Sequence, residues 1–187
     1  MPRPKSDDKR AAIMAAATQI IATQGLGAAT AAIAKEAGVS NGSLFTYFDT
    51  KADLLNQLYL ELKGEMGAAA LGGLPDADGR AQMLHMWSRW LDWATTNPHK
   101  RRTLAQLQVS DEITASTHGV AGQTLAGMGE ILERSRASGP MRDVPAALVF
   151  TLCNALAEAT IDYIIRDPGH TEQHKRSGFD ALWRMIG

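Results

Sequence analysis

The sequence predicts an all-α protein, on three observations. Runs of alternating β-branched residues do not occur, apolar residues return at spacings of three and four almost everywhere, and glycine or proline punctuates the gaps. With 187 residues, 45% of them hydrophobic, the chain can bury a sizeable core and falls between one large domain and two small ones.

Each element follows from its local pattern. Met1 to Ser6 carries two prolines with Arg3 and Lys5 and reads as a flexible basic arm. Ile13, Ala17, Ile20 and Ile21 mark one face of a first helix, which Gly25 ends. Thr30 caps a short second helix through Ala37, and Gly38 suits a tight turn where a side chain at positive φ would be costly. A third short helix fits between Asn41 and Phe48. Thr50, Lys51, Ala52 and Asp53 have the form of a capping box opening a fourth helix, with a buried stripe of Leu55, Leu58, Tyr59, Leu62 and Met66. Glycine, proline and acids cluster over 71–79, a candidate boundary. Further helices are expected from Arg80 to Thr96, from Pro98, from about 113 to 137, from about 145 to 166 and from 171 to 186, making about nine.

Charge and cysteine content narrow the class. The net charge is −1, with six Lys and Arg against four Asp and Glu up to Lys51 and thirteen against sixteen after it. The mild excess of positive charge at the N-terminus permits a nucleic-acid-facing segment without establishing one. Cys153 is the only cysteine, so no intrachain disulfide can form, and a reducing cytoplasm is the expected compartment. No run approaches the roughly 18 apolar residues a membrane helix needs, and MPRPKSDDKR has no apolar signal core, so no membrane partner is expected.

Residues 30–48 pattern as a helix-turn-helix. Ile33, Ala34, Ala37, Val39, Leu44 and Phe48 supply an inner face, and Ala34 lets two helices approach across Gly38. Ser40, Asn41, Gly42, Ser43, Thr46 and Tyr47 are left outward. Short hydroxyl and amide groups suit phosphates and base edges in a major groove. Lys51, in the first turn of a helix, opposes the macrodipole by about 0.3–1 kcal/mol, whereas a docked phosphate would be attracted by the lysine and the free N–H groups together.

The run IAKEAGVSNGSLFTYFDTKADLL resembles the N-terminal DNA-binding domain of the TetR family of bacterial transcriptional regulators, and the match extends over about residues 9–62. The resemblance implies a DNA-binding domain over 1–51, joined by a helix from 51 to about 70 to a helical ligand-binding and dimerisation domain over 52–187. It also implies a phosphate contact from Thr30, a recognition segment of Ser40, Asn41, Gly42, Ser43, Phe45, Thr46 and Tyr47, and a phosphate-binding Lys51. Phe45 stands where the family most often has tyrosine, so that hydroxyl is lost. No Lys or Arg lies between 36 and 50, so base readout falls to Asn41, Thr46 and methyl contacts.

Beyond the match, the helix from about 145 to 166 is apolar nearly all round, with Glu158 the only charge between Ala146 and Ile161. Such a helix needs cover on both sides. A homodimer interface is expected from Leu152, Leu156, Ala159, Tyr163, Phe179, Leu182 and Trp183; the resemblance also implies a four-helix dimer contact, and two-fold symmetry would make the DNA operator a palindrome. An effector pocket is expected from Leu62, Met66, Met83, Met86, Trp87, Trp90 and Leu104, where thioethers and indoles suit a flat or greasy small molecule. His170 and His174 have metal-ligand spacing but no obvious third ligand, and are expected to be solvated. No phosphate loop, paired-carboxylate arrangement or nucleophile elbow is visible, and no catalytic residue, metal or cofactor is expected. The function expected is a ligand-released repressor; a DNA-binding or scaffolding protein without an effector, and an enzyme without a recognisable motif, are the alternatives.

Overall fold

The computed structural model describes residues 5–187, with side chains from Asp7 onward. The helices are α1 (Lys5–Gln24), α2 (Thr30–Glu36), α3 (Asn41–Leu44), α4 (Lys51–Leu71), α5 (Gly79–Thr96), α6 (Pro98–Gln108), α7 (Ala115–Thr124), α8 (Ala126–Arg136), α9 (Ala146–Arg166) and α10 (Thr171–Ile186). A 3-10 turn, Pro168–His170, separates the last two, and no strand occurs among the described residues. The basic arm expected at the N-terminus lies outside the described residues, except for the backbone of Lys5 and Ser6, which opens α1.

Three local expectations change. The single helix expected over 113–137 is two, broken at Leu125 with φ −96° and ψ 9°. Gly119, Gly122, Gly127 and Gly129 weaken this stretch, each by up to about 1 kcal/mol relative to alanine. The break also seats Leu125 against Gly67, where an added Cβ would lie 2.6 Å from Leu125 Cδ2. Gly67 therefore permits close helix packing at this point. Thr30 is the first residue of α2 and not its cap, since Ala29 holds that position. At α4, Thr50 Oγ1 accepts from Asp53 N at 3.0 Å as expected, but the Asp53 carboxylate reaches one residue further back, to Asp49 N at 3.1 Å.

The chain forms two compact units, passing between them inside α4 and again at Asn97 and Thr124. The first holds residues up to Gly64 together with Asn97–Gln123. Ile13, Ile21, Ile33, Leu44, Phe48, Leu54 and Leu58 fill its core. Polar bonds explain why α6 belongs here: the fully buried Thr103 donates to Thr18 O at 2.8 Å, and Gln106 Nε2 donates to Ile21 O at 3.2 Å. Asn56 ties α4 to the loop before α7, donating to Glu112 O at 2.7 Å and accepting from Thr114 N at 3.0 Å. The buried Thr103 hydroxyl is thereby paired rather than left unsatisfied inside the packed face.

The second unit holds Glu65–Thr96 and Thr124–Gly187. Here α5 packs against α8, α9 and α10. Gly178 permits the close approach, because a Cβ there would meet Thr160 Oγ1 at 2.6 Å and Trp87 Cζ2 at 2.9 Å. The buried Trp87 indole donates to Lys175 O at 3.0 Å. Lys175 is itself buried, with its ammonium 2.5 Å from Asp92 Oδ1 and 2.6 Å from Glu172 Oε1. Burial disfavours that charge, yet the two carboxylates outweigh it and hold the lysine above its ordinary value. Arg136 is the other buried cation; its Nη1 donates to Met141 O at 2.6 Å, Arg142 O at 3.2 Å and Val144 O at 2.8 Å, fixing the α8–α9 loop.

Contrary to the expectation that no apolar run is long enough, α9 could cross a membrane by length and composition, the one helix among those described that could. Its scattered Thr, Asn and Glu conceal this when runs are counted residue by residue. The two sides of α9 differ: Val149, Cys153, Ala157, Ile161 and Ile164 are buried in the unit, while Leu148, Leu152, Ala155, Ala159 and Tyr163 are exposed along the opposite side.

Candidate nucleic-acid interface and apolar cavity

The first unit presents residues 30–51 as a helix, a turn and a short helix. Gly38 makes the turn at φ +67°, a conformation that a Cβ disfavours. Ile33, Ala34, Leu44 and Phe48 are each at most 1% exposed, while Ala37 and Val39 are half-buried. With those four anchored inward, helical geometry turns the remaining side chains out. Ser40, Asn41, Gly42, Phe45 and Thr46 are exposed, and Ser43 and Tyr47 half-exposed.

Several outward hydroxyls also have structural tasks. Ser40 caps α3, accepting from Ser43 N at 3.1 Å, and the Ser43 hydroxyl lies 3.1 Å from Ser40 Oγ. Thr46 Oγ1 donates to Ser43 O at 2.7 Å. Each retains lone pairs for a further bond. Asn41 lies at the exposed start of α3, so its amide has the freest reach of the group.

Lys51 is not simply a lysine in solvent. Its Nζ donates to Leu26 O at 2.6 Å, joining the start of α4 to the loop before α2. An ammonium has three donors, so two remain for a phosphate. Arg10 is committed elsewhere: its guanidinium donates to Gln57 Oε1 at 2.8 Å, pairs with Glu61 at 3.5 Å and lies over the Phe48 ring. That network was not foreseen from sequence; i,i+4 spacing of Gln57 and Glu61 on α4 was the available signal.

In the second unit an apolar cavity lies among α5, α8, α9 and α10, lined by Met83, Met86, Trp87, Trp90, Met128, Leu132, Phe150, Cys153, Asn154 and Leu182. It is small, with only about 30 Å³ open to the centre of a water molecule, is partly open to solvent beside the exposed Phe150, and presents an apolar surface. A drug-sized guest therefore needs side chains to swing, which the three thioethers permit at low cost. Four of the seven residues expected at a pocket meet here: Met83, Met86, Trp87 and Trp90. Met66 is buried in the same unit but does not line this cavity, and Leu62 and Leu104 are buried in the first unit. Met128, Leu132, Phe150, Cys153 and Asn154 were not anticipated, because they come from helices whose orientation periodicity alone does not set.

The expected interface residues also divide. Leu152, Ala159 and Tyr163 are exposed and Leu156 and Trp183 half-buried, whereas Phe179 and Leu182 are at most 2% exposed and occupy the unit's own core. The i, i+3, i+4, i+7 stripe of α10 is satisfied within the chain.

Cys153 is a buried thiol pushed up to about 11 by its apolar surroundings. Thiolate is the reactive form. At pH 8, alkylation of the native protein is expected to be slower than that of the urea-unfolded chain by on the order of 100-fold, and to accelerate as pH rises toward 11. Mass spectrometry of this single cysteine reads the rates directly; equal rates in both states would contradict its burial.

A short helix-turn-helix with a polar outer side, in a chain whose second unit surrounds an apolar cavity, defines a helix-turn-helix transcription regulator with a separate helical domain. The family of bacterial regulatory proteins named tetR matches residues 13–58. A tetR family transcription regulator from Shewanella sp. PV-4 is 30% identical, with 94% of this chain and 96% of that one covered at a TM-score of 0.85. The chain belongs to the TetR family. The same fold recurs in FadR of Bacillus subtilis, solved with stearoyl-CoA, at 18% identity, coverage of 95% and 99%, and a TM-score of 0.71. LfrR of Mycobacterium smegmatis, solved with proflavine, shares it at 19% identity, coverage of 96% and 98%, and a TM-score of 0.70.

Proposed function

We propose that this regulator is a cytoplasmic repressor that binds a palindromic operator as a homodimer and is released by a small lipophilic or aromatic effector. The observation that carries the reading is the Met- and Trp-lined cavity, whose accessible surface is apolar, with Asn154 the one amide in its lining, and so offers little to hold a sugar, an amino acid or an ion in place. The likeness in fold to FadR and LfrR, whose structures hold an acyl-CoA and a flat aromatic dye, supports that ligand class.

The route from effector to DNA runs through α8. Met128 and Leu132 face the cavity. On the neighbouring stretch of chain, Leu125 packs on Gly67, and a Cβ added at Gly127 would lie 3.3 Å from Leu71 Cδ1. An effector that pushes Met128 and Leu132 outward must displace Leu125 and with it α4, whose first residue is Lys51. Dimerisation uses the exposed side of α9, where Ala155 and Ala159 allow close approach between Leu148, Leu152 and Tyr163. Covering this side in a dimer also accounts for an apolar helix without assigning it to a membrane.

At the DNA, Asn41 and Thr46 read bases while Thr30, Ser40, Ser43, Tyr47 and Lys51 hold the backbone, with Gly42 giving clearance and Phe45 an apolar contact to thymine methyls. Lys51→Ala is expected to weaken operator and random DNA alike and to flatten the salt dependence by about one counterion, read from binding isotherms over a salt series. Asn41→Ala should instead change which bases are preferred; uniform losses on all sequences would remove its reading role. The overall test is selection of bound sites from random DNA, then a screen for small molecules that release the best site. The narrowness of the cavity favours one second reading, a DNA-binding protein without an effector, which a screen yielding only inert compounds would support.

A further inference from the structure

His170 and His174, expected to be solvated and without a third ligand, have one. Asp167 ends α9, and the Pro168–His170 turn folds its carboxylate back over the start of α10. Asp167 Oδ2 lies 3.1 Å from His170 Nδ1 and 2.9 Å from His174 Nε2, and the three ligand atoms all fall within 4.8 Å of one another. The edge-to-face contact of Tyr163 at 4.8 Å from the His174 ring fixes the orientation of that imidazole.

We propose that Asp167, His170 and His174 form a binding site for a divalent transition-metal ion of the Zn²⁺ type, separate from both the DNA-binding segment and the cavity. Two imidazoles and one carboxylate are a borderline nitrogen and oxygen set, which favours Zn²⁺, Ni²⁺ or Cu²⁺ over Mg²⁺ or Ca²⁺. Tetrahedral zinc with bonds of about 2.0–2.2 Å places neighbouring ligand atoms roughly 3.4 Å apart. The two Asp–His separations are already close to this, and rotation of the exposed His170 ring closes the third. The start of α10 is an unfavourable place for a cation, but a full carboxylate charge in direct contact outweighs that dipole. Three protein ligands leave a coordination position for water or an exogenous ligand. Bound metal would cross-link the α9–α10 turn beside the exposed Tyr163.

The test is calorimetric titration of untagged, metal-free protein with Zn²⁺, alongside His170→Ala, His174→Ala and, as a control, His99→Ala. One ion per chain is expected. Each ligand substitution should weaken it by more than the about 10–100-fold typical of losing an outer-shell partner, and the control should leave it unchanged. Zn²⁺ should also raise the melting temperature of the wild type but not of His170→Ala, whose exposed position keeps the fold intact. Absence of saturable binding, or equal affinity in the wild type and the ligand variants, would overturn the assignment.

Discussion

Arg136→Ala is expected to destabilise the second unit by about 1–3 kcal/mol, the range for removing a charged donor from its hydrogen-bonded acceptors. Arg136 is 7% exposed and gathers the carbonyls of Met141, Arg142 and Val144, which lose that shared donor on a loop of half-buried and exposed residues. A loss of that size is an appreciable fraction of the about 5–15 kcal/mol by which a domain is stable, and should lower the melting temperature by roughly 5 °C. Glu133→Gln provides the comparison. Glu133 pairs with Arg136 at 2.8 Å, but its side chain is 50% exposed, so solvent screening reduces its expected cost to about 1 kcal/mol or less. Urea unfolding of the two variants decides the matter: similar midpoints would mean that the carbonyl clamp contributes little.

Leu152→Glu is expected to have the largest effect on DNA binding. The substitution places a carboxylate in the middle of the exposed side of α9, which a monomer tolerates and the proposed dimer does not. Two unpaired charges would be buried per dimer, at several kcal/mol each, and each 1.4 kcal/mol is a factor of ten. Sedimentation should show a monomer, and operator affinity should fall by at least about 100-fold because one recognition segment binds without its partner. Gln173→Glu, an exposed change on α10, should leave both measurements unchanged. A Leu152→Glu protein that remains dimeric would move the interface elsewhere.

Legibility in the sequence followed the range of the interactions. The helix-turn-helix was readable because Gly38, the apolar spacing of Ile33, Leu44 and Phe48, and the Thr50–Asp53 box are local signals separated by a few residues. Arg10 was not, because its partners Gln57 and Glu61 lie 47 and 51 positions away. Asp167 is close in sequence to His170 and His174, yet only the conformation of the Pro168–His170 turn brings its carboxylate to both rings. Phe179 and Leu182 show the converse: an amphipathic stripe says that a face is buried without saying what buries it. In this chain Arg80 and Trp183 lie against the Phe179 ring, and Leu182 shares the cavity wall with Trp87.

The sequence by itself determined that the chain is helical and that residues 30–51 form a helix-turn-helix, since periodicity, capping and turn chemistry act between near neighbours, and its run IAKEAGVSNGSLFTYFDTKADLL carried the resemblance to the TetR family. Only the tertiary structure decided which Met and Trp residues share a cavity, that Lys51 also holds the loop at Leu26, that α10 packs inward while one side of α9 remains uncovered, and that Asp167 meets His170 and His174. Those outcomes depend on how helices rotate and cross, which side-chain volume and the pairing of buried polar groups settle over the folded chain as a whole.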